Sequence, residues 1–585
     1  MKFSVLALDY DGTIARNDVL ELSVRDAIAQ VRTQDVAVML VTGRILDDLR
    51  RVAGDLHFVD GVIAENGAVI EFPDSGYSTA MGPPPSPELL EALRNEGIRH
   101  DVGRVVVEAD ASDAGRMLTI IRRLEAPLVP LFNRGRVMIL PQAISKATGL
   151  RQALTILRLS PHNGVAIGDA ENDHELLQVC EVGVAVDWGS DALKRAADYV
   201  LPGDGPAAVA PYIRDLARSR LVPVPVKTRR QLLLGYTDEG EALALAVRGR
   251  SVLIAGDTKS GKSWVTGLLC EQLILYGYCL CILDPEGDYV SLEALPGVTV
   301  FGGADPLPRP RDLLRALRHP DTSVVIDLSH ASHDDKLEYL RTVLPALATL
   351  RRHTGLPHRI VVDEAHYFLH GEDVMTLLDL ELSGYTLVTY RASKLHPRVL
   401  AAHQAIVVTR ESEPDEVAAL VKLCSGCEAA TVDEWRRLLG NLALGEAVVL
   451  PITEEAHGKA RRIRLAPRLT PHVRHLAKYV DIPVPHRRAF VFARHGASTG
   501  PSARTLREFV EVVERTPDEF LDGHVQRGDF SRWVADVFGD YQLAQELEGI
   551  ENEYRAGEQN DVAARLGRAV RARYEFVEPV PSDST

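Results

Sequence analysis

Asp9 and Asp11 stand two residues apart at the end of the apolar run Ser4–Leu8, with Gly12 behind them. In an extended chain that spacing puts both carboxylates on one side, and the glycine lets the backbone turn away. Three other segments end in polar groups. Val36–Val41 runs into Thr42-Gly43-Arg44, Lys146 follows Val137–Leu140, and Gly164–Ile167 runs into Gly168-Asp169-Ala170-Glu171-Asn172-Asp173. Hard carboxylate oxygens suit magnesium. A carboxylate can attack phosphorus to give an aspartyl-phosphate, which divides one displacement into two easier ones. A second carboxyl can protonate the leaving oxygen and then deprotonate water. Threonine and lysine can hold the phosphoryl oxygens while this happens.

A second set of residues lies further along. Gly256-Asp257-Thr258-Lys259-Ser260-Gly261-Lys262-Ser263 fits GxxxxGKS, between the apolar strand Ser251–Ala255 and an apolar helix predicted over Trp264–Tyr276. Gly256 and Gly261 free backbone N–H groups to cradle phosphates, Lys262 reaches the β- and γ-phosphates, and Ser263 supplies a magnesium ligand. The run Arg359–Val362 ends in Asp363-Glu364-Ala365-His366. Asp363 is suited to hold magnesium through water and Glu364 to polarise an attacking water. A glutamate in that place points to ATP hydrolysis rather than to a kinase.

Parallel sheets are needed to bring these segments together. Up to about residue 215, short β-branched runs alternate with helical patterns, the signature of a parallel α/β sheet. In such a sheet all these strand ends open on one edge, where ligands bind. A Pro-, Arg- and Val-rich stretch, 216–231, reads as a linker. A second α/β pattern fills 232–487, with strands predicted at Val252–Ala255, Cys279–Leu283, Val324–Asp327, Ile360–Val362, Thr386–Thr389 and Ile406–Thr409. The Val324–Asp327 strand is expected to lie between the phosphate loop and the strand that ends in Asp363, as it should if extra strands separate the two motifs. Residues 488–585 read as a small helical domain, with apolar Leu506, Phe509, Val510 and Val513 at helical spacing.

With 585 residues, 46% hydrophobic and 25% charged, the composition is that of a globular chain of two to four domains, and it excludes extended disorder and collagen-like structure. No apolar run spans a bilayer, Leu268–Leu283 being broken by Glu271 and Gln272. The first residues meet acidic Asp9 early and have no small-residue cleavage site, so no signal peptide is expected. Six cysteines form no disulfide scaffold and fit a reduced cytoplasm. The close pair Cys424 and Cys427 is a lone CxxC without a second pair or nearby histidines. A net charge of −16 argues against coating nucleic acid through bulk charge but leaves room for a local basic channel. The basic stretch Lys459, Arg461, Arg462, Arg464, Arg468, Arg474 and Lys478 reads as a solvated strand-and-loop face. There is no fixed-period repeat.

DYDGT, VTGR, the lysine of ISKATGL and GDAENDHELL, in that order, resemble the four motifs of the haloacid dehalogenase (HAD) superfamily. AENGA at Ala64–Ala68 and LPQAISKATGL resemble its Cof-type phosphatases, subfamily IIB. The resemblance covers roughly 1–215 and implies a Rossmann-like domain hydrolysing a phosphate ester with Mg2+. By position, Asp9 is then nucleophile and metal ligand and Asp11 the general acid/base, counted with the metal-site carboxylates. Thr42 and Lys146 bind phosphate, Asp169 binds metal, and Asn172 and Asp173 support the metal and the lysine. Residues 84–141 hold Arg104–Glu108, a helix near Ala111–Leu124 and the run Leu128–Leu140, which together suggest a short βαββ-like cap. In the family a cap covers the site and selects the substrate.

LDPEGDY at Leu283–Tyr289, VVIDLS at Val324–Ser329, VVDEAHYFL at Val361–Leu369 and the passage SKLHPRVLAAHQAIVVTR resemble the HerA/FtsK ring-forming ATPases, closest to the HerA branch. This implies a RecA-like P-loop domain over roughly 232–467, ATP as ligand and a homo-oligomer, hexameric in the family, whose members are often DNA translocases. Two positions depart from the pattern. Lys259 stands where the loop usually has glycine, and Tyr390-Arg391 follow Thr389 where a sensor glutamine is usual. Arg391 and Arg410 are candidates for an arginine finger acting on a neighbouring subunit. Ala493-Arg494-His495-Gly496 is similar to the RHG motif of histidine phosphatases but has no partner motif behind it.

The expectation is therefore a cytoplasmic, magnesium-dependent HAD phosphohydrolase joined to a HerA-like ATPase, with a phosphorylated substrate and no membrane partner. Three functions follow: processing of DNA or RNA ends by a ring, small-metabolite phosphatase activity assembled or regulated by a nucleotide-binding ring, and a polynucleotide kinase–phosphatase. Glu364 and LDPEGDY weigh against the third.

Overall fold

The computed structural model describes residues 1–133, 135–223, 229–247, 250–371, 374–424, 431–450, 460–470, 484, 488–492, 500–538, 540–557 and 561–574. The chain divides into two compact units, one of Met1–Pro285 with Tyr289–Pro471 and one of Glu286–Asp288 with His472–Thr585.

The first unit opens with β1 (Val5–Asp9), the hairpin β2 (Ala15–Arg16) and β3 (Val19–Leu20), α1 (Leu22–Arg32), β4 (Ala37–Val41), α2 (Leu46–Ala53), β5 (Gly61–Ala64), β6 (Val69–Phe72) and β7 (Tyr77–Ala80). After an excursion it returns through α5 (Lys146–Leu157), β12 (Gly164–Gly168), α6 (His174–Val179), β13 (Val182–Val186), α7 (Asp191–Ala196), β14 (Tyr199–Leu201) and α8 (Val209–Ser219). The strands form an 8-stranded sheet of order β14-β13-β12-β1-β4-β5-β6-β7, in which β6 alone runs against the others, so that only the β5–β6 and β6–β7 pairs are antiparallel. Every residue of β1, β12 and β13 is buried. Continuous apolar strands of this kind suit a parallel sheet covered on both faces. On α1, Val24, Ala27, Ile28 and Val31 make one buried stripe, spaced as a helix packed on one side requires. The register pairs Asp9 with Val41 and Leu8 with Ile167, so Asp9, Thr42 and Asp169 leave one sheet edge side by side.

The excursion is α3 (Pro87–Asn95), β8 (His100–Val102), β9 (Val107–Asp110), α4 (Ala114–Arg123), β10 (Leu128–Asn133) and β11 (Arg136–Pro141). Its antiparallel sheet has the order β10-β11-β9-β8. It is larger than the βαββ expected, because α3 and β8 precede that unit; β8 has only three residues, none of them buried, and so leaves no apolar pattern. Helix α8 runs through residue 215 to Ser219, and β15 begins at Gln231. Part of the stretch read as a linker is thus structured, and the amide of Val222 donates to the Met1 carbonyl.

The second sheet is built from β15 (Gln231–Tyr236), β16 (Ala242–Ala246), β17 (Val252–Ala255), β18 (Leu280–Asp284), β19 (Val298–Gly302), β20 (Ser323–Asp327), β21 (Arg359–Val362), β22 (Tyr385–Thr389), β23 (Ala405–Val408), β24 (Glu446–Leu450) and β25 (Arg461–Leu465). Its order is β16-β15-β25-β24-β23-β17-β22-β21-β18-β20-β19. The stretch from β23 to β19 is parallel, and β24, β25, β15 and β16 extend it in antiparallel fashion. The strand between the phosphate-loop strand β17 and β21 is β22, not Val324–Asp327, whose strand β20 lies beyond β18. Helix α9 (Lys262–Leu275) follows the loop.

Arg468 does not lie on a solvated face. Its side chain is fully buried against Glu271 at 2.9 Å, and the same carboxylate accepts from the amides of Leu469 and Thr470. Lys459, Arg474 and Lys478 fall outside the described residues, as do Cys427 and Ala493–Gly496.

In the second unit, Leu506, Phe509, Val510 and Val513 form the buried face of helix Leu506–Arg515. They share a core with Phe490, Phe530, Trp533 and Leu566. Among the described residues no helix is long and apolar enough to cross a membrane.

Candidate functional site

The first site sits at the edge where β1, β4 and β12 end. Lys146, the first residue of α5, is 1% exposed, and its Nζ donates to Asp9 Oδ1 and to Asp173 Oδ1, both at 2.6 Å. Ser145 caps α5, its hydroxyl accepting from the Thr148 amide, so the lysine enters at a fixed helix start. The other oxygen of Asp173 accepts from the amides of Asp169 and Ala170 at 3.0 Å. Asp9, Asp169 and Asp173 each offer an oxygen within 4.8 Å of the others.

Burial, then Asp173, pushes the Asp9 carboxyl well above the usual carboxylate range, with Lys146 opposing and Asp169 adding to the rise. Burial works against the Lys146 charge, but Asp173 and Asp9 outweigh it and hold the ammonium above its ordinary value. Three buried carboxylates against one lysine leave an excess of negative charge. Hard oxygens and that charge fit a divalent magnesium ion.

Thr42 is buried and its hydroxyl accepts from the Arg44 amide at 3.1 Å. The carboxylate of Asp11 does not join the trio. Arg44 grips it through Nε and an Nη at 2.7 Å each, and also bonds Asp48 at 2.7 Å and Asp18. Those bonds, that to Asp11 first, raise the guanidinium further above its already high value. Arg44 was visible only as the last letter of VTGR; its carboxylate partners Asp11, Asp18 and Asp48 come from three separate places in the chain. Asn172 has both amide atoms buried without a hydrogen-bond partner. A Cβ on Gly43 would stand 3.1 Å from Nδ2 of Asn133, at the end of β10, and 3.7 Å from Nδ2 of Asn172. The β10–β11 hairpin therefore reaches the edge where this cluster lies.

AENGA has its own task. Glu65 and Asn66 both take left-handed backbone, φ 52° and 56°. The buried Glu65 carboxylate accepts from the amides of Arg104, Val105 and Val106 at 2.9, 2.9 and 3.2 Å. A Cβ on Gly103 would fall 2.6 Å from that carboxylate. Glu65 thus fixes the segment that leads into β9.

The second site follows β17. Gly256 has φ +151°, and a Cβ there would meet Thr409 Oγ1 at 2.1 Å; Gly261 has φ +104°. Lys259 takes φ 62°, which explains why glycine is usual at its position. Lys262 Nζ donates to the carbonyls of Gly256 at 3.1 Å and Asp257 at 2.8 Å, while Ser263 opens the first turn of α9 beside it. Asp363 accepts from the Tyr289 hydroxyl at 3.0 Å and from the Glu364 amide at 2.8 Å. Glu364 itself is left-handed, φ 48°. Ala255 is in register with Thr389 and Leu387 with Val362, so loop and carboxylates share one edge, a strand apart.

Two residues near this edge, His366 and Glu411, had no role assigned to them in the sequence. His366 Nδ1 lies 3.1 Å from Thr389 Oγ1, and its ring stands edge-on to Tyr390 at 4.4 Å. Burial, then Lys394, Lys262 and Arg391, pushes its imidazole down to about 3. Tyr390 in turn lies 6.0 Å from Lys262 Nζ. Glu411 is buried, and burial, with Asp257 and Glu416 adding to it, pushes its carboxyl up to about 8. Arg391 lies against the Tyr390 ring, and Arg410 lies 3.8 Å from Asp257 of its own loop.

A doubly wound sheet with a buried lysine–carboxylate cluster, followed by a phosphate loop on a second parallel sheet, defines the class. Residues 6–81 and 86–213 match the haloacid dehalogenase-like hydrolases, and residues 243–391 match the central domain of the helicase HerA. The chain is 31% identical over 218 residues to a phosphoglycolate phosphatase of Methanosarcina acetivorans, covering 35% of this chain and 94% of that one. It is 29% identical over 229 residues to a phosphoglycolate phosphatase of Methanopyrus kandleri, covering 36% and 97%. Among solved structures, a haloacid dehalogenase-like hydrolase of Bacteroides thetaiotaomicron matches 37% of this chain and 100% of its own, with 20% identity and a TM-score of 0.33. The chain belongs to the haloacid dehalogenase-like hydrolases through its N-terminal part and carries a HerA central domain after it.

Proposed function

We propose that the first site hydrolyses a small anionic phosphomonoester, of the phosphoglycolate class, and that the second hydrolyses ATP in an oligomeric ring. The observation that carries the substrate size is the approach of Asn133 to Gly43, where Asn172 also lies close. A site bounded so closely by its cap suits a leaving group of a few heavy atoms rather than a polymer end. The relatives named phosphoglycolate phosphatases support the same class.

In this reading Asp9 attacks phosphorus and the ester P–O bond breaks. Lys146 and Thr42 hold the phosphoryl oxygens, and Asp11, oriented by Arg44 and entering the cycle protonated, gives its proton to the departing alkoxide. Asp11 then takes a proton from water, which attacks the aspartyl-phosphate, frees phosphate and restores Asp9. Asp173 keeps Lys146 placed, and Asn172 offers its amide to the site. Magnesium, held by Asp9 and Asp169, would neutralise charge on the phosphoryl group. At the second site Lys262 and Ser263 would hold the nucleotide phosphates and magnesium with Asp363, and Glu364 would orient water. Arg410 is engaged beside its own loop, so Arg391 is the better candidate to reach a neighbouring subunit. The buried thiols Cys180, Cys270, Cys279 and Cys281 suit a reducing cytoplasm.

The HerA match favours a second reading, in which the ring grips DNA or RNA and the phosphatase trims its ends. Phosphate release from phosphoglycolate, sugar phosphates, nucleotides and 3′- or 5′-phosphorylated oligonucleotides, with and without unlabelled DNA, separates the two. Release limited to small esters and indifferent to DNA supports the first; release from oligonucleotide ends with DNA-stimulated ATP hydrolysis supports the second.

A further inference from the structure

The phosphatase and phosphate-loop sheets meet at the edges opposite their sites. His162, in the turn just before β12, is buried, and its ring stacks on Tyr278 just before β18, with centroids 3.8 Å apart. His162 Nδ1 lies 2.9 Å from Glu181 Oε2, and its Nε2 lies 3.0 Å from the carbonyl of Tyr276, the residue that ends α9. The Tyr278 hydroxyl donates to the same Glu181 oxygen at 2.8 Å. His358, just before β21, stands edge-on to both rings at 5.5 Å and accepts the Cys279 amide at 2.8 Å. A Cβ on Gly355 would fall 2.4 Å from the Asn163 amide, and Lys2, before β1, bonds the His353 carbonyl.

Each of these elements carries a site residue at its far end. β1 and β12 lead from the junction to Asp9 and Asp169, and β21 leads to Asp363. α9 leads from Tyr276 back to Lys262 through 14 residues, about 21 Å at 1.5 Å per residue. The two sheets are therefore joined back to back, with their catalytic edges facing away from each other. A packed ring stack with shared hydrogen bonds is a rigid joint, and rigid elements with a packed contact between them can carry coupling from one site to the other.

We propose that nucleotide bound at the phosphate loop regulates the phosphatase through this junction, along α9 and β21 to His162 and on through β12 to Asp169. No phosphate passes directly between the sites. In the structure Lys262 bonds the loop carbonyls of Gly256 and Asp257; phosphates would draw it off them and load the N-terminus of α9. That gives the ligand the differential contact a shift requires. The inference rests on the reading of this loop as a nucleotide site.

The test uses the full chain, phosphoglycolate as substrate and ADP as the probe, so that no ATP hydrolysis adds phosphate. Trp264, beside Ser263, reports ADP binding by its fluorescence. In the wild type, ADP should change phosphatase kcat by about five-fold or more, with the same midpoint as the fluorescence change. Tyr278→Phe removes one hydroxyl and His162→Gln keeps a donor for the Tyr276 carbonyl. Both should leave basal turnover and ADP binding in place and reduce the coupling. ADP binding without any change in wild-type turnover, or coupling unaltered in both variants, overturns the proposal alone. Absence of ADP binding overturns the nucleotide-site reading and the proposal with it.

Discussion

The guanidinium of Arg44 holds both oxygens of the Asp11 carboxylate, at 2.7 Å each. In the proposed mechanism the group that gives and takes a proton is therefore oriented by a residue that follows the neighbouring strand β4. Arg44→Ala should lower phosphatase kcat by about ten-fold, within the range that positioned acid–base groups contribute. KM should change little. Steady-state kinetics on phosphoglycolate check this, with Asp11→Asn as the reference for complete loss of the group.

Lys146 is the one cation among three buried carboxylates of its cluster. Lys146→Met leaves Asp9 and Asp173 without that partner, and breaking a buried pair costs about 3–5 kcal/mol. Urea unfolding followed through the phosphatase domain should show a loss of that order. A magnesium titration should recover part of it, because a divalent ion replaces the missing charge.

Metal binding at this cluster should be proton-linked. The Asp9 carboxyl is pushed well above its ordinary range, so a proton competes with a cation for it. Chelation should abolish phosphate release, and magnesium affinity should weaken as pH falls. Calorimetry in buffers of different ionisation enthalpy measures the released protons directly. An affinity independent of pH would contradict this account of the site.

The motif residues were legible because each follows an apolar strand whose register the sheet then fixes. Asp9, Thr42 and Asp169 emerge together since β1, β4 and β12 are neighbours. What the sequence withheld is pairing between distant segments. Arg44 and Asp11 follow different strands, β4 and β1, and the three amides that bond Glu65 lie far along the chain at Arg104–Val106. The strand beside β17 proved to be β22, because order in the chain does not set order in a sheet. The antiparallel extension by β24, β25, β15 and β16 was missed for a related reason. Its β25, for example, carries exposed arginines, so the apolar run that marks a parallel strand is absent. Glu411 looks like any surface glutamate until the fold buries it behind the phosphate loop.

That burial carries its own pH dependence. The Glu411 carboxyl is pushed up from 4.5 to about 8. An acid whose value is raised on folding stabilises the fold fully below its unfolded value, and the contribution is lost as pH rises through the folded one. The stability of the phosphate-loop domain should therefore fall as pH rises from about 4.5 to about 8. Glu411→Gln should flatten that decline. Thermal unfolding across the range, in wild type and variant, decides it.

The central claim is that Asp9 and the phosphate loop run separate hydrolyses. The most direct measurement is phosphate release by wild type, Asp9→Asn and Glu364→Gln, from phosphoglycolate and from ATP in parallel. The account predicts that Asp9→Asn abolishes release from phosphoglycolate and leaves ATP hydrolysis, while Glu364→Gln does the reverse. Phosphoglycolate hydrolysis that survives Asp9→Asn, or ATP hydrolysis that is lost with it and untouched by Glu364→Gln, would contradict the assignment of the two sites.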